Sequence, residues 1–179
     1  DIFFPAVTKL SLTNRMRFLK WYLIKCWNIY KPNLKKTLRK SKTCVVVIPI
    51  HEESPNEMEL ISFQQCFKIL GDHTIKIIAP KGLNLAKYEA VIPFFEVVFI
   101  DPIWQSTIEK YNKLKLSQFF YQLFDDYQFL LTYELDAFVF RDELLFWCNK
   151  GYDYIGSPWF VGYDNPTTEF LGVGNSGFS

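Results

Sequence analysis

The sequence predicts an α/β domain built on an open, mainly parallel sheet, and three observations carry that expectation. From Thr43 onward, short β-branched runs alternate with stretches of helical periodicity. The first run, Cys44-Val-Val-Val-Ile-Pro-Ile50, is apolar throughout, as a strand covered on both faces requires. A length of 179 residues, 49% apolar and 22% charged, fits one domain with an appendage and excludes a disordered, collagenous or coiled-coil chain.

Residues 1–42 form the appendage. They hold eleven Lys and Arg against a single acid, Asp1, whereas residues 43–179 hold nine bases against eighteen acids. Met16, Phe18, Leu19, Tyr22, Leu23, Cys26, Trp27, Ile29 and Tyr30 fall on one half of a helical wheel, opposite Asn14, Arg17, Lys20, Lys25 and Asn28. Trp21 and Ile24 on the polar half and Arg15 on the apolar half are exceptions. A basic amphipathic helix of this kind suits an anionic membrane interface, or equally the acidic surface of the body. Pro32 ends it, and Lys35, Lys36, Arg39, Lys40 and Lys42 follow as a charged linker. The longest apolar run in the arm, Trp21 to Ile24, is far below the roughly 18 residues that span a bilayer, and no signal-peptide core is present. No nucleic-acid-binding motif accompanies the charge, so nucleic acid is not an expected partner.

The body then follows in order. Cys44 to Ile50 is the first strand, and Glu57 to Leu70 is a helix with Met58, Leu60, Ile61, Phe63, Phe67, Ile69 and Leu70 as its apolar positions, stopped by Gly71. Thr74 to Ala79, Glu96 to Ile100 and Phe129 to Tyr133 are further strands, with one long helix expected over Ser106 to Asp125. The cysteines Cys26, Cys44, Cys66 and Cys148 lack metal-knuckle spacing and read as reduced core thiols of a cytosolic protein.

Sheets of this type bind ligands beyond the carboxyl ends of their strands. The loop after the first strand, Ile50-His51-Glu52-Glu53-Ser54-Pro55, contains no glycine, which excludes a dinucleotide fingerprint or a P-loop. His51-Glu52-Glu53 does not have zinc-protease spacing. Ile50, His51 and Glu52 are instead candidates for contacting the base or ribose of a nucleotide, or the loop is simply solvated, with Glu57 and Glu59 favouring the next helix N-terminus.

The most informative stretch is Leu130-Leu-Thr-Tyr-Glu134-Leu-Asp136-Ala-Phe-Val-Phe140, an acid-x-acid step between apolar runs. In extended chain Glu134 and Asp136 share a side about 7 Å apart. Together they could hold Mg²⁺ or Mn²⁺ that also takes diphosphate oxygens, and a surface turn is the plainer alternative. Downstream, Gly151 to Phe160 and Gly172 to Ser179 combine glycines with Trp159, a platform for a sugar face, or are simply turns.

In this order, Val45-Val-Val-Ile-Pro-Ile50, Tyr111-Asn-Lys-Leu114, Tyr133-Glu-Leu-Asp-Ala-Phe-Val-Phe140, Tyr152-Asp-Tyr-Ile-Gly-Ser-Pro-Trp-Phe160 and Gly174-Asn-Ser-Gly-Phe-Ser179 resemble a largely uncharacterised family of bacterial domains thought to be GT-A-type glycosyltransferases. The resemblance runs from about residue 43 to the end. It implies a GT-A-like, Rossmann-like fold, a nucleotide-sugar donor, a divalent metal (Mn²⁺ or Mg²⁺), and a glycan, lipid-linked or protein acceptor. It makes Asp136 the metal ligand, with Glu134 contacting metal or ribose. Lys113 or Lys115 would face donor phosphate, and Trp159, Asn175 and Gly177 would line the donor sugar or acceptor side. The family pattern has Gln at the position of Glu134, Ala at that of Ser157 and Gly at that of Ser176. Because that pattern continues past Ser179, a C-terminally truncated domain is expected, with Asp164 and Glu169 the only candidates after Trp159 for a catalytic base and a plain polar loop the alternative for both. The expected location is cytoplasmic, peripheral on the membrane face. Two rivals accompany this reading: a degenerate, non-catalytic glycan- or nucleotide-binding module, and a sugar nucleotidyltransferase, whose glycine-rich basic loop is missing here.

Overall fold

A computed structural model describes residues 43–162, 167–175 and 177–179; the basic arm with Cys26, and Asp164, lie outside the described residues. Four strands, β1 (Cys44–Pro49), β2 (Thr74–Pro80), β3 (Glu96–Ile100) and β4 (Phe129–Thr132), form one sheet in the order β3-β2-β1-β4. Every neighbouring pair is parallel, with Val46 opposite Ile75 on one side and Leu131 on the other. The expected α/β architecture is met, a Rossmann-like sheet flanked by helices.

The all-apolar first strand is explained by the two cores it serves. Val46, Ile48 and Ile50 pack with Phe63, Cys66 and Leu70 of α1 (Glu57–Leu70). Val45 and Val47 face the opposite way and pack with Leu114, Phe120 and Phe124. Strand alternation therefore divides β1 between two apolar layers, leaving no position for a polar side chain. Cys44 and Cys66 are buried free thiols, and Cys148 is half-buried. Burial pushes the Cys66 thiol up to about 12.

Helix α1 begins at a capping box. The Asn56 side chain accepts from the Glu59 backbone N–H at 2.9 Å, and the Glu59 carboxylate accepts from the Asn56 backbone N–H at 2.8 Å. After the one-turn α2 (Ala86–Glu89) and β3, the chain departs from expectation. The single helix expected over Ser106 to Asp125 is two, α3 (Ile108–Lys115) and α4 (Gln118–Gln122), and a 3₁₀ turn (Pro102–Gln105) precedes them. Thr107 and Ser117 each turn a hydroxyl onto a backbone N–H three residues on, Lys110 and Phe120, at 3.2 Å, so each caps a new helix. The last helix among the described residues is α5 (Leu144–Cys148), followed by an antiparallel ribbon of β5 (Ser157–Phe160) and β6 (Phe170–Asn175) with two register irregularities. Among the described residues, no helix is long and apolar enough to cross a membrane.

Candidate functional site

The strand order makes the site. The chain steps from β1 outward through β2 to β3, then returns to place β4 on the other side of β1. The loops after β1 and β4 therefore diverge, and a crevice opens between them at the switch point. Here it is a cleft of about 530 Å³ lined by residues that include Ile50, His51, Glu52, Glu59, Tyr88, Gln105, Tyr111, Asn112, Glu134 and Asp136. A larger cavity, about 670 Å³, lies along the β4 edge among Phe129, Leu131, Trp147 and Phe178. Its lining is mainly apolar, and it contains neither residue of the acid-x-acid step.

That step is not extended chain. Pairing of β4 stops at Thr132, and Glu134 to Ala137 form a turn closed by Ala137 N–H donating to the Glu134 carbonyl at 2.9 Å. The strand-rise separation expected for Glu134 and Asp136 does not apply, because a turn sets their directions. Three sets of contacts fix it. The Tyr133 backbone N–H donates to Val47, and the Tyr133 hydroxyl lies 2.9 Å from Ser62 Oγ and donates to the Ala137 carbonyl at 3.2 Å. Gln65 Nε2 donates to the Val139 carbonyl at 2.9 Å, tying the following segment to α1. From the far end of the sequence, the Gly177 carbonyl accepts the Glu134 backbone N–H at 2.7 Å, and Ser179 exchanges backbone bonds with Thr132.

The two acids have different surroundings. Glu134 Oε1 accepts from Lys115 Nζ at 2.7 Å and from the Tyr111 hydroxyl at 2.9 Å, and the pair is mostly buried, with side chains 11% (Lys) and 29% (Glu) exposed. Lys115 also sits 4.8 Å from the Tyr111 ring centroid. Burial, then the neighbouring Glu134 charge, pushes the Tyr111 phenol well up, so it is a standing hydrogen-bond donor. Asp136 is exposed, and no hydrogen bond or ion pair engages its carboxylate among the described residues.

The remaining candidates take these places. Lys113 points away into an exposed pair with Glu109 at 2.7 Å, so α3 turns Lys115, not Lys113, toward the acids. His51 and Glu52 are exposed at the mouth, 3.7 Å apart, while Ile50 is buried and its N–H donates to Ile78. Tyr88 donates to the Glu52 carbonyl at 3.1 Å and is pushed up to about 12 by burial, with Glu59 and Glu52 contributing. Trp159, 45% exposed in β5, and exposed Glu169 are not in the cleft lining. Asn175 pairs with Ser157 in the ribbon; Gly177 is buried and contributes its carbonyl to the turn. Among the described residues no three His, Cys, Asp or Glu side chains converge as a metal cage.

Sequence reasoning passes over Gln105. It lines the cleft from the 3₁₀ turn after β3, and both its amide nitrogen and oxygen are buried without a hydrogen-bond partner among the described residues. A lone Gln among Trp104 and Ser106 has no sequence signal, since its isolation is created by the fold.

The half of the chain that carries the acid turn, Gln105 and the ribbon is also the half that a family comparison recognises. Residues 94–179 match the family described as Protein of unknown function (DUF5672). The DUF5672 match takes in four of the five ordered motifs, from Tyr111-Asn-Lys-Leu114 to Gly174-Asn-Ser-Gly-Phe-Ser179, while Val45 to Ile50 precedes it. The resemblance to an uncharacterised domain family is thereby met; DUF5672 itself specifies no chemistry. No curated protein and no solved structure matches the chain.

Proposed function

We propose that this chain is a metal-dependent glycosyltransferase of GT-A type that holds a nucleotide-diphosphate sugar in the switch-point cleft. One observation carries the reading: Glu52, Glu59, Glu134 and Asp136 line the cleft, and among the described residues no Lys or Arg does, Lys115 being engaged with Glu134. A diphosphate alone would be repelled there, so a phosphate-bearing ligand needs a divalent cation with it. Hard cations of this kind take one or two carboxylates together with substrate phosphate and do not require an all-protein cage.

The donor set fits such an ion. Among the described residues Asp136 is unengaged and Glu134 is engaged only through Oε1, so the Asp136 carboxylate and Glu134 Oε2 would hold it. When bound, the metal supplies Lewis-acid neutralisation of the departing diphosphate. Lys115 and Tyr111 hold the Glu134 carboxylate in place, and the turn that carries Asp136 is braced by Ser62, Gln65 and Gly177. The acceptor is a glycan, a lipid-linked glycan or a protein, and the basic arm favours a place on the cytoplasmic membrane face.

The test is the melting temperature of wild type and Asp136→Asn with UDP, CDP, ADP or GDP, each with and without Mn²⁺. A nucleotide at about 100 times its Kd stabilises by about 2.7 kcal/mol, seen as several degrees. The expected shift needs Mn²⁺ and is lost in Asp136→Asn, whose own melting is unchanged. No nucleotide shift with Mn²⁺, or an equal shift in the variant, overturns the assignment.

A further inference from the structure

We infer that Gln105 is the specificity-determining residue of the cleft, reading the hydrogen-bonding edge of the ligand's nucleobase; this rests on the nucleotide reading above. The observation is an unpaid valence. A glutamine amide presents one acceptor and one donor group in a single plane, and folded chains ordinarily satisfy both when they are buried. In Gln105 neither is satisfied among the described residues, although the residue lies on the lining of the cleft that also holds the four carboxylates. Turning the amide into the cleft forfeits no bond to the described residues.

The position selects the base over the rest of a nucleotide. Asp136, the carboxylate available for metal and phosphate, follows β4 at one edge of the sheet, whereas Gln105 follows β3 at the opposite edge. A ligand whose phosphates lie at Asp136 extends across the ends of β1 and β2 before it reaches Gln105. The part of a nucleotide that is remote from phosphate, planar, and bordered by adjacent donors and acceptors is its base. Sugar hydroxyls could also bond an amide, but they impose no paired donor–acceptor pattern, and this difference makes the inference testable.

The experiment measures Kd by calorimetry for UDP, CDP, ADP and GDP with Mn²⁺, and for inorganic diphosphate with Mn²⁺ as the base-free probe. Wild type is compared with Gln105→Leu and Gln105→Glu, and the ligand-free melting temperature of each is recorded. Gln105→Leu should melt at the same temperature or higher, because it removes an unsatisfied buried amide. It should bind diphosphate within about twofold of wild type while losing about tenfold to a hundredfold for the preferred nucleotide. Gln105→Glu replaces the donor with a second acceptor, so the ranking should move toward GDP, whose guanine offers two adjacent donors at N1 and N2.

Unchanged nucleotide affinities in Gln105→Leu, an equal loss for diphosphate, or a lowered ligand-free melting temperature each overturn the inference. Wild type that binds diphosphate with Mn²⁺ as tightly as every nucleotide overturns the base contact but leaves the metal–diphosphate site standing. Wild type that binds neither overturns the functional reading and this inference with it.

Discussion

The turn at Glu134–Ala137 and the ribbon of β5 and β6 lie in the same C-terminal half of the chain, yet they are held by opposite means. The turn has partners from α1, α3 and the 177–179 segment, and the side chain beneath it, Tyr133, is fully buried. The ribbon pairs with itself across two register irregularities, and Trp159, Phe160, Phe170, Leu171 and Val173 are each more than two-fifths exposed. Polar chemistry that must keep one geometry is thus set where long-range contacts over-determine the backbone. The apolar, glycine-bearing ribbon has the low density of buried contacts that marks the less stable part of a fold.

The sharpest way to break this comparison is to truncate one aromatic in each region. Tyr133→Ala should lower stability by about 3–5 kcal/mol in urea unfolding, whereas Phe170→Ala should change it by about 0.5 kcal/mol or less. Similar costs at both positions would erase the distinction.

Alkaline pH should separate the regions next. Tyr88, at the cleft, is raised from 10 to about 12 in the fold, so its contribution is complete below pH 10 and is lost as pH rises toward 12. The unfolded chain releases that proton first, which lowers stability by about 2–3 kcal/mol across the window. Urea midpoints at pH 9, 10 and 11 should fall less steeply in Tyr88→Phe, and also in Tyr111→Phe, whose phenol is raised in the same direction. Parallel slopes in wild type and both variants would remove the cleft tyrosines as the cause.

A smaller effect is expected at the ion pair. Lys115→Met leaves the Glu134 carboxylate with Tyr111 as its remaining donor and should cost about 2 kcal/mol, much of it recovered in the Lys115→Met/Glu134→Gln double variant. Additive losses in that double-mutant cycle would show the pair to be energetically uncoupled.

The parallel strands and α1 were legible because their signals are local. Cys44 to Ile48 is a β-branched run with one cysteine, and Asn56 with Glu59 spells a capping box. The division of α3 from α4 was not, because Thr107 and Ser117 sit within apolar periodicity and act as caps only once the chain bends there. The turn at Glu134 carries Asp136, a common turn former, so a turn stood as the alternative to extended chain, but without Gly, Pro or Asn its shape was not legible. Its shape is imposed by Ser62 and Gly177, which are remote in sequence. The choice between Lys113 and Lys115 depended on the phase of α3 against the sheet, which composition does not encode. Pro158 and the glycines of β6 obscured the ribbon, because they interrupt the alternation by which strands are read.

The bond from the Glu134 N–H to the Gly177 carbonyl also sets an order of assembly. The partner of the acid appears about forty residues after it, and a loop of that length must close before the bond can form. During synthesis the four parallel strands are all available before this bond can be made. A nascent or proteolytically shortened chain lacking Gly177 would therefore present the sheet with its cleft unfinished. Under the proposed reading, cation affinity at Asp136 should appear only once Gly177 is in place.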